Sequence, residues 1–162
     1  MKLAGLLPLI QQSTAYKRTL NRLWTPQGGD SAFSLRWPLL DAARPAILGA
    51  LQQDWVGPLL VLTAQPERAH FLQEQVSVWS TRAPSWYFPA PDALFYDRTP
   101  WDGETIHRRV SVLSALASQD YARPPILFTS VWALMTQTIP PALLASAIRT
   151  IHVGQKIRLS DL

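Results

Sequence analysis

Three short apolar runs set the strongest limit on how this chain can fold. They occupy residues 59 to 63, 86 to 88 and 126 to 129, and a longer stretch with apolar residues at helical spacing separates each run from the next. The first run has no polar alternation, which is typical of a strand buried on both faces of a parallel sheet. Because strands that alternate with helices pair in parallel through right-handed crossovers, we predict an α/β fold with a mostly parallel sheet flanked by helices.

The rest of the chain extends this alternation. A fourth strand of the sheet is predicted at 32 to 36, before the first run, and a final strand at 148 to 153. The predicted helices are 2–12, 13–23, 43–53, 66–81, 103–119, a short helix from Ser130, and 140–147, with an irregular loop at 90–102. Proline pairs mark the boundaries between several of these elements.

These elements divide the chain into three parts. Residues 1–30 hold N-terminal helices and a loop, residues 31–147 form the α/β domain, and residues 148–162 begin something further. The last three residues, a serine followed by an aspartate and a leucine, are typical of a helix start. We therefore expect the chain to end inside its next element, as a fragment of a longer protein.

Composition excludes several classes of protein. The chain has 162 residues and no cysteine, which excludes disulfides and thiolate metal sites and is compatible with a cytoplasmic location. The three histidines are scattered without ligand spacing, so no metal site is expected. The net charge of +4 permits contact with nucleic acid without demanding it. The apolar runs are too short to span a membrane, and the N-terminus lacks the cleavage site of a signal peptide.

The turn after the predicted strand at 32–36 stands where a nucleotide-binding protein has its phosphate loop. When GxxxxGK[ST] is laid on this position, its first glycine falls at Pro38, its lysine at Arg44 and its hydroxyl at Pro45, and Asp41 lies inside the loop. Proline removes an amide donor, aspartate places a negative charge where phosphate would lie, and Pro45 cannot hold magnesium. These residues favour an ordinary strand–turn–helix over the relic of a phosphate loop, and no cofactor is expected.

A second stretch, residues 88 to 116, joins an aromatic loop to Arg98, Arg108 and Arg109. Aromatic side chains stack on bases and arginines neutralise phosphate, so these arginines are candidates for weak contacts with nucleic acid or a partner. The favoured alternative is a loop that packs its aromatic residues on the sheet, with the arginines on the wet face of the following helix. Four acidic residues in the same stretch weaken the case for phosphate binding.

A third candidate is the pair Thr129 and Ser130, at the end of a predicted strand. Ligands gather at the carboxyl ends of parallel strands, so these hydroxyls could contact a ligand. Ser130 is equally suited to cap the following helix, and we favour the cap. Neither a Ser/His/Asp arrangement nor paired carboxylates show a recognisable spacing, and no catalytic residue is predicted.

Four segments together resemble a known family. "FPAPDALFYDR" followed by "RRVSVLSAL" is similar to the FPxWExLPYD…SxRLxxL signature of the bacterial transcription-repair coupling factor. "ILFTSVWALMTQTIPP" resembles its IVVTSVxALxQxxPP segment, and "IHVGQKIRLSDL" its LxxGxxLxxxxL segment. "DAARPAILGAL" is similar to its GSARAxxLAxL run, in which the phosphate loop is already degenerate. The resemblance covers roughly residues 33 to 162, with the four segments in the family's order.

The resemblance implies a fold and a role. In that family the N-terminal region resembles excinuclease B, the damage-recognition component of the bacterial excinuclease. Residues 31–147 would then form a degenerate phosphate-loop NTPase or helicase domain. The full-length protein is an ATP-dependent DNA translocase that displaces stalled RNA polymerase and recruits excinuclease A. This chain would be a non-catalytic module of a cytoplasmic DNA-repair protein, and residues 148–162 would be the truncated start of an inserted domain.

The implied partners lie mostly outside this chain. Excinuclease A would bind the complete inserted domain, whereas DNA and RNA polymerase would bind the full-length protein, and no membrane is involved. Two alternatives stay open: an ATP-binding fragment of excinuclease B or of a helicase, and a free-standing nucleic-acid-binding α/β domain.

Overall fold

Three parallel strands with helices on both faces form the centre of the molecule. The computed structural model describes residues 2–24, 34–79, 84–92, 100–118, 124–149, 151–156 and 158. The strands are β1 (Leu59–Thr63), β2 (Ser85–Phe88) and β3 (Ile126–Ser130). The helices are α1 (Leu7–Gln12), α2 (Thr14–Trp24), α3 (Arg44–Asp54), α4 (Pro66–Trp79), α5 (Gly103–Ser118), α6 (Val131–Met135) and α7 (Pro141–Ala147), with short 3-10 turns at Ala4–Leu6 and Asp41–Ala43.

The strand order is β1-β3-β2, and both pairings are parallel. Ile126 of β3 lies in register with Leu59 on one side and with Ser85 on the other. The last strand in sequence therefore occupies the centre of the sheet, and the connection through α4 crosses over its position. The predicted parallel sheet flanked by helices is confirmed. Its likeness to a phosphate-loop fold and the division of the chain at residues 30 and 147 stay predictions.

Helix α4 covers one face of the sheet. Its Ala69, Leu72 and Val76 are buried against Ile126 and Phe128 of the central strand. Side chains from β1 and β2 also pack into this layer, so it connects α4 with all three strands. Burial of apolar surface on this scale is what holds the sheet and α4 together.

Helix α3 packs against α4, and a glycine allows the close approach. A Cβ atom added to Gly49 would lie 2.9 Å from the Cβ atom of Trp79, which is closer than such atoms approach each other in proteins. The separation of α3 from α4 therefore depends on the missing side chain.

The N-terminal helices pack against α3. Leu7, Tyr16 and Ala50 form their buried contact, and the Tyr16 hydroxyl donates a hydrogen bond of 2.7 Å to a carboxylate oxygen of Asp54. Burial and the Asp54 carboxylate both raise the pKa of Tyr16. The backbone N–H of Leu3 also donates to the carbonyl of Val78, at 2.8 Å. The start of the chain is thus attached to both α3 and the end of α4.

The opposite face of the sheet is covered only in part. Phe88, Val112 and Ala133 form the buried contact there, beneath α5. Leu60 and Leu62 of β1 point to the same face but are 57% and 50% exposed. The prediction that the 59–63 run is buried on both faces is therefore wrong for the face that α5 covers. The reason is that β1 is an edge strand, whereas α5 lies over β2 at the opposite edge of the sheet.

The predicted strand at 32 to 36 is wrong for residues 34 to 36, which form no strand; residues 32 and 33 lie outside the described residues. The segment from 34 to 40 is held by its side chains instead of by backbone pairing. Trp37 packs on the N-terminal helices, with its ring 6.3 Å from that of Tyr16. Pro38 has no N–H to donate to a neighbouring strand, which disfavours a sheet position here.

The predicted strand at 148 to 153 is also wrong for its described residues, which belong to no strand. Ile151 is 56% exposed and Val153 is fully exposed, because no other described strand lies beside them to pair with. A turn follows at residues 153–154. Gly154 has a φ of +88°, which only glycine adopts without strain, and the N–H of His152 donates to the Gln155 side chain at 3.1 Å.

Candidate functional site

A cleft of about 550 Å³ opens at the carboxyl end of β1, between α3 and α4. Trp37 and Leu39 form one wall, and the others come from apolar side chains of α3, β1 and α4. Ligand-binding clefts of proteins have this size and this mostly apolar lining, and they occur at the carboxyl ends of parallel strands. The cleft is therefore the leading candidate for a functional site.

Three charged residues meet at the cleft. Asp41 lies in the 3-10 turn before α3, Arg44 is the first residue of α3, and Arg68 lies in the first turn of α4. The Asp41 carboxylate accepts one contact of 2.9 Å from Arg44 and another of 3.2 Å from Arg68. Arg44 and Arg68 both line the cleft, so two guanidinium groups share one partly exposed carboxylate beside an apolar cavity.

The structure shows where the residues of the phosphate-loop comparison lie. Asp41 and Arg44 contact each other. Pro45 is buried in the first turn of α3, where it contributes no N–H, and Pro38 is exposed between the two residues that form the cleft wall. The turn thus has a carboxylate and proline rings where a phosphate loop would have backbone amides.

A hydroxyl for magnesium is also not free at this end of β1. The Thr63 side chain lines the cleft, but its hydroxyl lies 2.7 Å from the carbonyl of Gln65 and 3.3 Å from that of Thr129. It donates its proton within the protein. The cleft therefore presents guanidinium groups and apolar side chains to a ligand.

Sequence reasoning missed Arg68. It lies 24 positions after Arg44 in the chain, and only the packing of α4 against α3 brings the two side chains to the same carboxylate. One sequence feature could have indicated it. Arg68 lies in the first turn of α4, the helix that follows β1. In an α/β fold this turn lies at the carboxyl end of the sheet.

The second predicted cluster separates into different environments. Arg98 lies outside the described residues. Arg108 is exposed and forms an ion pair with Glu104, one turn earlier on α5. Arg109 is only 4% exposed. Successive residues on a helix point about 100° apart, so neighbouring arginines face different surroundings.

Arg109 is enclosed by its neighbours. Its guanidinium lies 4.1 Å from the ring centroid of Phe88 and 5.2 Å from that of Trp101. One amino group donates a hydrogen bond of 2.7 Å to the carbonyl of Pro89; the other has no hydrogen-bond partner among the described residues. Burial lowers the pKa of Arg109. Arg109 therefore anchors the chain around β2 and is closed off from nucleic acid. The packing alternative is wrong in placing Arg109 on the wet face of the helix, where only Arg108 of the two lies.

Thr129 and Ser130 are both buried, and the cap interpretation is confirmed. The Ser130 hydroxyl accepts a hydrogen bond of 3.2 Å from the N–H of Ala133, at the start of α6. The Thr129 hydroxyl donates to the carbonyl of Phe88 at 3.1 Å and links β3 to β2. Both side chains are used within the fold.

Elsewhere in the described ranges, no group of three or more histidine, aspartate, glutamate or cysteine side chains is arranged to hold a metal ion. None of the helices in these ranges is both long and apolar enough to cross a membrane. Comparison of the chain with protein families, with curated proteins and with solved structures finds no match. The cleft and the four segments that resemble the coupling factor are therefore the features that bear on function.

Proposed function

We propose that this chain is the non-catalytic N-terminal module, similar to excinuclease B, of a transcription-repair coupling factor. The observation that carries the proposal is the Asp41 carboxylate between Arg44 and Arg68. It lies at the start of α3 and beside the carboxyl end of β1, and the phosphate-loop comparison assigns the phosphates to this turn. The module would be part of a cytoplasmic protein that acts on DNA and on stalled RNA polymerase.

Electrostatics supports the loss of nucleotide binding. A bound triphosphate is stabilised by backbone amides, a lysine and magnesium, and the turn before α3 offers prolines and a carboxylate instead. The phosphates would have to approach Asp41, and like charges at contact distance repel strongly where solvent is partly excluded. Arg44 and Arg68 cannot neutralise the charge of a triphosphate, because the Asp41 carboxylate already contacts both guanidinium groups.

Without nucleotide chemistry, the module would act through its surfaces. We propose that the inserted domain begins at residues 148–162 and continues beyond this chain, and that excinuclease A binds the complete inserted domain. Ile151 and Val153 are exposed apolar side chains, and a further segment that covered them would remove apolar area from water. DNA and RNA polymerase would bind other parts of the full-length protein.

Calorimetry with ATP and magnesium tests the loss of the nucleotide site. We expect no saturable binding at millimolar ATP. A dissociation constant tighter than about 0.1 mM, which corresponds to roughly 5.5 kcal/mol, would contradict the proposal and favour the ATP-binding alternative. Asp41→Asn is the informative variant, because any residual site should bind ATP more tightly once the negative charge is removed.

A pull-down tests the role of the chain in recruitment. We expect excinuclease A to be retained far more weakly by residues 1–162 than by a longer chain that carries the whole inserted domain. Equal retention by the two chains would locate the binding surface within residues 1–162. Retention by neither chain would contradict the proposed family role.

A further inference from the structure

We propose that the cleft between α3 and α4 binds a small amphiphilic anion, with the anionic group at Arg44 and Arg68 and the apolar body along the cavity. Asp41 would be the internal competitor for the two arginines. The proposal goes beyond the function proposed above and rests on the cleft alone. It identifies a ligand class for the position that a nucleotide would occupy.

The apolar lining of the cleft favours a ligand with an apolar body. Leu48, Val61 and Leu72 represent its apolar surface, to which Trp37 and Leu39 add a wall. A ligand that covered this surface would remove apolar area from water, which is the main source of affinity in clefts of this kind.

The charges select the head group. Two guanidinium groups and one carboxylate leave one net positive charge, which suits a ligand with a single negative charge. Guanidinium groups bind carboxylates through paired hydrogen bonds, so an incoming carboxylate can take the place of the Asp41 side chain. Partly exposed ion pairs such as these are weak, and their exchange costs little.

The same geometry disfavours ATP. A triphosphate has several negative charges and needs amides and magnesium, whereas a fatty carboxylate needs only a guanidinium and an apolar surface. Asp41 would repel both ligands, but a single carboxylate can replace it, whereas several phosphates exceed the positive charge available. The cleft therefore discriminates by the number of charges as well as by shape.

The test is an NMR titration of the whole 162-residue chain with octanoate, read at backbone amides. We expect saturable shifts around residues 41–48 and 61–68, and weaker binding of 1-octanol, which has the same apolar body without charge. ATP should not displace octanoate. Arg44→Gln combined with Arg68→Gln should weaken octanoate binding at least about fivefold, and Asp41→Asn should strengthen it about threefold.

A charge-matched control is available on α2. Arg18→Gln combined with Arg22→Gln removes the same two charges from exposed positions outside the cleft, and it should leave octanoate binding unchanged. Circular dichroism of each variant verifies that it is folded. If a cleft variant fails to fold, Ala64→Phe provides a second test, because a ring at this exposed lining position should block the cavity.

Three results would overturn the proposal. Shifts centred away from the cleft would place the ligand elsewhere. Equal binding of octanol and octanoate, unaffected by the arginine variants, would leave only non-specific apolar contact. If Asp41→Asn changed the stability of the protein without changing its affinity for octanoate, the charged cluster would only hold α3 against α4. The experiments with ATP and with excinuclease A test the proposed function separately. A result that contradicted the proposed function would leave the octanoate titration and its variants interpretable.

Discussion

The two arginines at the cleft and Arg109 on α5 lie in opposite environments. Arg44 and Arg68 are partly exposed and share the carboxylate of Asp41. Arg109 is almost fully buried, contacts two aromatic rings and donates to a backbone carbonyl, with no carboxylate beside it among the described residues. A guanidinium is thus available to a ligand where its partner is weakly held and solvent can enter, whereas a buried guanidinium serves the fold.

Replacement of Arg109 should have the largest effect. Arg109→Ala removes the contacts with Phe88 and Trp101 and leaves the Pro89 carbonyl without its donor, so we expect a loss of about 2–4 kcal/mol in the free energy of unfolding. Urea unfolding measures it. Arg109→Met is the matched control, since it restores much of the volume and should recover about half of the loss. A change below about 0.5 kcal/mol for the alanine variant would show that the side chain is not an anchor.

Gly49→Ala should have the next largest effect on stability, because it changes the packing of α3 on α4 that brings the cleft arginines together. The added methyl group would approach Trp79 to 2.9 Å and force α3 away from α4. We expect a loss of about 1–3 kcal/mol in thermal or urea unfolding, with a weaker octanoate affinity. Gly5→Ala is the control, since nothing lies within 4 Å of its added Cβ. Equal stability of both variants would mean that α3 and α4 can separate freely.

The cleft arginines should contribute far less to stability than Arg109. We expect Arg44→Gln or Arg68→Gln to change the free energy of unfolding by less than about 1 kcal/mol, because the ion pairs are partly exposed. The effect should shrink further at high salt, which screens exposed charges. Urea unfolding at two salt concentrations checks both statements. A salt-insensitive loss as large as that of Arg109→Ala would remove the distinction between the two environments.

DNA binding should show the smallest effect. With a net charge of +4 and Arg109 buried, we expect weak, sequence-independent binding that disappears near physiological salt. Arg108→Gln should reduce it slightly at low salt, whereas Arg109→Met should leave it unchanged. Fluorescence anisotropy with a labelled duplex, titrated with salt, is the measurement. Tight binding to a defined or damaged duplex at physiological salt would instead make the 90–109 region a binding face.

Local patterns predicted most of the elements well. The helix predicted at 43–53 occurs as α3 (Arg44–Asp54), and the run at 126–129 occurs as β3 (Ile126–Ser130) with Ser130 as the cap of α6. These features depend on neighbours in sequence: apolar spacing, a proline in the first turn and a hydroxyl at the cap. Residues 34 to 36 have a similar local pattern but no strand, because pairing requires a partner that the pattern does not contain.

The sequence alone predicts that β1, β2 and β3 alternate with helices and pair in parallel, and it places prolines and a carboxylate in the turn before α3. Tertiary packing places β3 in the centre of the sheet, leaves Leu60 and Leu62 of β1 exposed, and brings Arg68 to Arg44 at Asp41. The physical reason is the range of the interactions. Propensity, capping and periodicity act within a few residues, whereas burial and ion pairing depend on which distant segments pack together.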